Sequence, residues 1–232
     1  MSGSVWSIVA ATFLVPAAEP MGYLVPRGVS PAQAVPYQPR EGDLIFYDDH
    51  KLIWNVLFAY AGTGSPLHAG IVVKRADGRL AVLEAGPDDT VWVDLIDLRQ
   101  RLEKFVGTVT IRRCKKELSK EQSLALSRFA ILQEGKCYAV LRLLLQGTWL
   151  RPRGPLGLLY ARTYLDRDSW ICSELVVAAS AVAGLLDPRA VCANATYPRD
   201  LVDNRRHNLG AVWDDAAEWV RTRPASGIAA RR

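Results

Sequence analysis

The sequence is poor in the residues and spacings that build metal and nucleotide sites. Its 232 residues hold three histidines, His50, His68 and His207, and four cysteines at positions 114, 137, 172 and 192. No two cysteines stand as Cys-x-x-Cys, and no histidine lies near one in sequence, which argues against the usual zinc and dithiol spacings. Neither a metal nor an organic cofactor is expected. A chain of this length does not need a disulfide scaffold. Gly-x-Gly-x-x-Gly and Gly-Lys-Ser/Thr are both missing, and with them the common phosphate cradles. No uninterrupted run reaches the ~18 apolar residues of a spanning helix. The run "VWSIVAATFLV" at 5–15 has the length of a signal-peptide core, but no Lys or Arg precedes it and the first basic residue is Arg27. It reads as an arm, or as a signal or anchor segment. The compartment, cytoplasm or cell envelope, stays open.

What is present is globular in texture. Half the residues are hydrophobic and 23% are charged, enough for a sizeable core. The net charge of +5 is spread over Arg112–Arg113–Lys115–Lys116, Arg151–Arg153 and Arg205–Arg206. No aromatic residues are interleaved with these clusters as in a strand-binding groove, so no nucleic-acid partner is expected. Contact with an anionic membrane surface or polymer stays open.

Residues 1–40 read as an N-terminal arm or signal/anchor followed by a linker or extended arm, with six prolines in residues 16–40. Residues 41–220 read as one domain and 221–232 as a disordered tail. Strand texture appears in "GDLIFYDD", in "HAGIVVKRADGRLAVLEAG" with its "ADG" turn, in "TVWVDLI" and in "VGTVTIRRC". No helix is expected between these strands, which favours an antiparallel sheet. Helical texture begins near 118, where Ser119 and Gln122 can form a capping box and Gly135 a stop. "KCYAVLRLLLQG" reads as another helix or the approach to one, 148–165 as an irregular connection, and "TYPRDLVD" as a turn and short helix. Strands first and helices second is an α+β pattern.

Cys172 lies near the start of the apolar helix in "DRDSWICSELVVAASAVAG". Asp168 and Ser169 are both good cap types. With Ser169 as cap, Cys172 is the third helical residue, where the helix dipole favours a thiolate. His68 opens a strand and Glu84 lies on the next one. A two-residue Asp77–Gly78 turn would put their side chains on opposite faces. A three-residue loop with Gly78 left-handed would pair Glu84 with Gly70 and bring His68 and Glu84 together as diagonal neighbours. The sequence permits the second geometry without forcing it. In it, Cys172 is a nucleophile, His68 its base and Glu84 the carboxylate that orients the imidazole. The Cys172 amide is one oxyanion donor and Tyr47, at the end of the first strand, a second candidate. His50, beside Asp48 and Asp49, reads as a polar loop residue. Asp166 and Asp168 read as caps, and His207 has no evident role.

The ordered set "GDLIFY", "HAGIVV" with "VLEA", "GKCY", "WICSELV" and "YPRDL", spanning residues 41–202, resembles the permuted branch of the papain-like NlpC superfamily, the YiiX-like cysteine hydrolases. The resemblance implies a circularly permuted papain-like α+β fold, a small antiparallel sheet or half-barrel packed on helices. It also implies a His68–Glu84–Cys172 catalytic set in that order. It further implies cleavage of an amide or ester, or acyl transfer, on cell-wall peptides, amino-acid amides or lipids. A peptidase or amidase acting on a small peptide or amino-acid conjugate is the leading expectation. A lipid acyl hydrolase or acyltransferase, suggested by the leucine-rich 138–165 segment, and a binding module without turnover are the alternatives.

Overall fold

The computed structural model describes residues 19–52, 56, 59–60, 62–146, 148, 152–153, 161–204 and 208–222. The N-terminal apolar run, Arg205, Arg206, His207 and the tail from 223 lie outside them. The strands are β1 (Tyr23–Pro26), β2 (Val35–Pro36), β3 (Leu44–Asp48), β4 (His68–Lys74), β5 (Leu80–Ala85), β6 (Val93–Asp97), β7 (Thr108–Arg112), β8 (Cys137–Tyr138), β9 (Ser169–Trp170) and β10 (Ala217–Val220). The helices are α1 (Leu98–Lys104), α2 (Lys120–Gln133), α3 (Val140–Leu145), α4 (Cys172–Val182) and α5 (Pro198–Asp203). Eight strands form one antiparallel sheet in the order β2-β1-β10-β7-β3-β4-β5-β6, while β8 and β9 pair in parallel beside it. This is the expected α+β arrangement, with the strands that carry His68 and Glu84 preceding the helix that carries Cys172. Among the described residues no helix is long and apolar enough to cross a membrane.

Period-two alternation sorts the strand residues onto two faces. Leu44, Phe46, Ala69, Ile71, Val73 and Leu83 share one core with Leu126 and Phe129 of α2 and Leu175, Val176 and Ala179 of α4. Ile45, Tyr47, Val72, Val82 and Ile111 share a second core with Leu98 and Leu102 of α1. Helix α1 is too short to stand on propensity alone. Its two leucines are fully buried, each worth about 1.5–3 kcal/mol, and Asp97 caps it by accepting from the Gln100 N–H at 3.0 Å.

Several elements depart from the sequence reading. Helix α1 stands between two strands where no helix was expected; it begins immediately where β6 ends, so its opening turn reads like more strand. The stretch read as a linker or extended arm is tied into the sheet, with β1 lying along β10 from Tyr23 opposite Val220 to Pro26 opposite Ala217. Its prolines are tolerated because they fall at a strand end (Pro26) and on the edge strand (Pro36). The 137–146 run splits into β8 and α3. Finally, neither Asp168 nor Ser169 caps α4. Ser169 and Trp170 are drawn into β9 by Cys137 and Tyr138, the cap position passes to Ile171, and Cys172 is the first helical residue, not the third. The Ser119–Gln122 capping box and the stop at Gly135, with φ 79°, form as expected.

Candidate active site

The β4–β5 hairpin adopts the three-residue loop. The Arg75 N–H donates to the Arg79 carbonyl at 2.8 Å, the Gly78 N–H donates to the Arg75 carbonyl at 2.9 Å, and Gly78 has φ 83°. Gly70 therefore opposes Glu84, and the His68 Nε2 lies 2.9 Å from Glu84 Oε2. Gly70 is required there: a Cβ on it would stand 2.5 Å from Val82 Cγ1 and 2.8 Å from Glu84 Cγ.

His68 and Glu84 point to the α1 side of the sheet, whereas α4 packs on the other. Cys172 meets them because His68 is the first residue of β4, where the sheet stops. The tip of α4 overhangs that end, with the Cys172 Sγ 4.0 Å from the carbonyl of Leu67, the residue before His68. Cys172 is buried against Ala139 and Ile171. Two contacts fix the tip. The Trp170 indole donates to Gln133 of α2 at 2.9 Å, and Glu174 accepts from the Ile171 N–H at 3.4 Å. Among the described residues nothing accepts the N–H of Cys172, as befits a first-turn amide.

Burial on its own would lower the His68 pKa. Hydrogen bonds with Cys172 and Glu84, and the charges of both, reverse this and bring it up to about 10. Burial would raise the Glu84 pKa, but His68 and then Arg101 hold it below the usual glutamate value. The carboxylate is thus ionised and the ring favours its protonated form.

Sequence reasoning did not find Arg101. Its Nε donates to Glu84 Oε1 at 3.0 Å, its Nη2 to Oε2 at 2.9 Å and its Nη1 to Asp88 at 2.7 Å. It sits between Leu98 and Leu102 on the buried face of α1. A cation at such a core-facing position has to be paired, which was the available signal. Tyr47 lies beneath this pair, with the Arg101 guanidinium 4.6 Å over its ring and the His68 ring 5.7 Å away. Its phenol pKa is pushed up by burial and then by the Glu84 charge. Among the described residues the hydroxyl finds no hydrogen-bond partner. Its close charged neighbours are Glu84 and Arg101, which puts it behind the imidazole.

Two further residues stand around the start of α4, Tyr138 on the strand that pairs with β9 and Glu174 in the first helical turn. The Tyr138 ring packs on left-handed Gly86, where a Cβ would lie 2.7 Å from it. Its phenol pKa is raised by burial, then by the charges of Cys172 and Glu174. Glu174, in the first turn of α4, is buried and pairs with Arg142 at 3.0 Å and Arg167 at 3.6 Å. On the other side, buried Asp48 accepts from the Ser65 hydroxyl and from the His50 N–H at 2.8 Å, pinning the segment that leads into His68. His50 is part of that polar loop. Among the described residues no three His, Cys, Asp or Glu side chains gather as a metal-binding group. A cavity of about 690 Å³ lies at the other end of the strands, between Arg27, Ile111, Asn204, Asp214 and Ala217. No residue of the Cys172 cluster lines it.

No family model and no curated protein matches the chain. Among solved structures, it is similar to the crystal structure of the metalloprotein yiiX from Escherichia coli O157:H7. The identity is 23%, the TM-score is 0.44, and the match covers 63% of this chain and 67% of that one.

Proposed function

We propose that the protein is a cysteine hydrolase that cleaves an amide bond in a small peptide or amino-acid conjugate through Cys172, His68 and Glu84. The observation that carries this reading is the His68–Glu84 pair at 2.9 Å, at the strand end where the Cys172 Sγ lies 4.0 Å from the carbonyl of Leu67, the residue before His68. Glu84 takes Nε2, which leaves Nδ1 to receive the thiol proton. The thiolate adds to the substrate carbonyl, and the N–H of Cys172 faces the resulting oxyanion. Nδ1–H then protonates the departing nitrogen as the C–N bond breaks, leaving a thioester. His68 deprotonates a water, which attacks the thioester, and the thiolate departs with the acid product. Tyr47 is better placed to support Glu84 and Arg101 than to bind the oxyanion.

Labelling with a thiol-directed electrophile tests this. Cys172 should react faster than exposed Cys137 at neutral pH, and His68→Ala should abolish the difference. Equal rates at the two cysteines would favour a binding module without turnover. A lipid ester is the second reading, motivated by α3, where Leu141 is 72% and Leu144 56% exposed. It predicts binding of the full chain to anionic vesicles, lost in Leu141→Glu/Leu144→Glu. An absence of vesicle binding by the unaltered protein would remove it.

A further inference from the structure

We infer that the substrate carries a free carboxylate near the scissile bond and that Arg142 and Arg167 receive it. This rests on the hydrolase reading and adds a substrate class to it. Two guanidiniums face one carboxylate: Glu174 Oε2 is 3.0 Å from Arg142 Nη2, and its Oε1 is 3.6 Å from Arg167 Nη1. The nearby Lys136 is already matched by Asp166 at 2.6 Å. The group therefore keeps one formal positive charge beyond what Glu174 cancels. The first-turn amides of α4 add to the same sign.

The donors are also incompletely used. Arg142 gives Nη2 to Glu174 and to the Ser169 carbonyl at 2.6 Å, but its Nε is buried without an acceptor among the described residues. A buried donor left unmade is costly and uncommon in native proteins. The Arg167 guanidinium carbon stands 4.2 Å over the Tyr164 ring and the side chain reaches Glu174 only at long range. Its planar fork suits a second carboxylate. Both arginine side chains are about a quarter exposed, at 26% and 22%.

The set stands beside the sulfur. Ala139, the residue just before α3, packs on Cys172, and Arg142 lies in α3 three residues further on. Arg142 also binds on either side of the nucleophile in sequence, at the carbonyl of Ser169, three residues before Cys172, and at Glu174, two residues after it. A carboxylate a few bonds from the scissile carbonyl would span the gap between the sulfur and the arginines. If Glu174, Arg142 and Arg167 only fastened α3 and β9 to α4, the site would have no charge preference of this origin.

The test uses two alkylating agents with the same reactive group, N-iodoacetylglycine and its neutral twin N-iodoacetylglycinamide. Rates at Cys172 in the full-length protein are read by peptide mapping. The acid-to-amide rate ratio should fall roughly three- to fivefold in Arg167→Gln, the worth of a partly exposed charge contact, and should stay high in Arg167→Lys. As a measurement on the unaltered protein, N-acetylglutamate should protect Cys172 from iodoacetamide better than N-acetylglutamine does. A ratio unmoved by Arg167→Gln, or equal protection by the two competitors, overturns the inference and leaves the hydrolase reading standing. A Cys172 no more reactive than Cys137 overturns both.

Discussion

Arg101 holds Glu84 by two nitrogens at once, Nε at 3.0 Å from one carboxylate oxygen and Nη2 at 2.9 Å from the other. The oxygen that meets Nη2 is also the one that meets His68. The carboxylate is therefore aimed before any substrate arrives, and its charge is shared between a permanent cation and a titrating one.

Replacing Arg101 by Met should be severe. It leaves a fully buried carboxylate with only an imidazole for company, and breaking one side of a buried pair costs about 3–5 kcal/mol. Denaturant midpoints should show that loss. Arg101→Lys should retain more stability but lose the two-point grip, so electrophile labelling at Cys172 should slow even where the fold survives.

Cys172→Ser should reduce hydrolysis to background with the fold intact, since the change is small in volume. Glu84→Gln should lower turnover less, because it alters orientation of the base without removing the nucleophile. It should also cost stability by leaving buried Arg101 with only the exposed Asp88 as counter-charge. Turnover and thermal melting measured on the same preparations would separate the two. Equal abolition with unchanged melting would count against the orienting role.

The His68 pKa is raised from its ordinary value of 6.5 to about 10 in the folded protein. A raised cationic group stabilises fully below its unfolded pKa and loses that contribution as pH climbs through its folded one. Melting temperature should therefore fall between about pH 6.5 and 10. In Cys172→Ala the largest raising cause is gone, and this part of the slope should shrink. An identical pH profile in the two proteins would refute the thiol–imidazole coupling.

Gly70→Ala tests the space reserved for Glu84. The added Cβ would stand 2.5 Å from Val82 and 2.8 Å from Glu84. Overpacking of this kind costs about 1–3 kcal/mol, and the shifted carboxylate should slow Cys172 labelling. Gly78→Ala, with nothing within 4 Å of its Cβ, should cost stability through its positive φ without touching the site.

The site was readable where local rules govern it and unreadable where distant chain segments do. The "ADG" loop narrowed the hairpin to two registers, and the one with Gly78 left-handed, which forms, places His68 and Glu84 on one face. Strand texture located β3, β4, β5 and β7, and a capping box located the start of α2. Arg101 was hidden because seven-residue α1 follows directly on β6, although Asp97 with Gln100 three residues later is a start signal that could have been used. The start of α4 was misplaced by pairing at a distance: residues 137–138 recruit Ser169 before it can cap. The β1–β10 pair joins residues nearly two hundred positions apart, for which no local pattern exists.

The "ADG" loop has one more property, which is parity. It lies at the far end of the hairpin from His68, exposed and touching nothing in the site. Yet its residue count decides which way every side chain of β5 points, because a one-residue slip exchanges the two faces of a strand. Its three positions can change identity at the cost of local strain. Losing one, as in deletion of Asp77, would turn Glu84 toward α4 and hand its place to a neighbour with no carboxylate. The chemistry at Cys172 thus depends on whether a remote turn is odd or even in length.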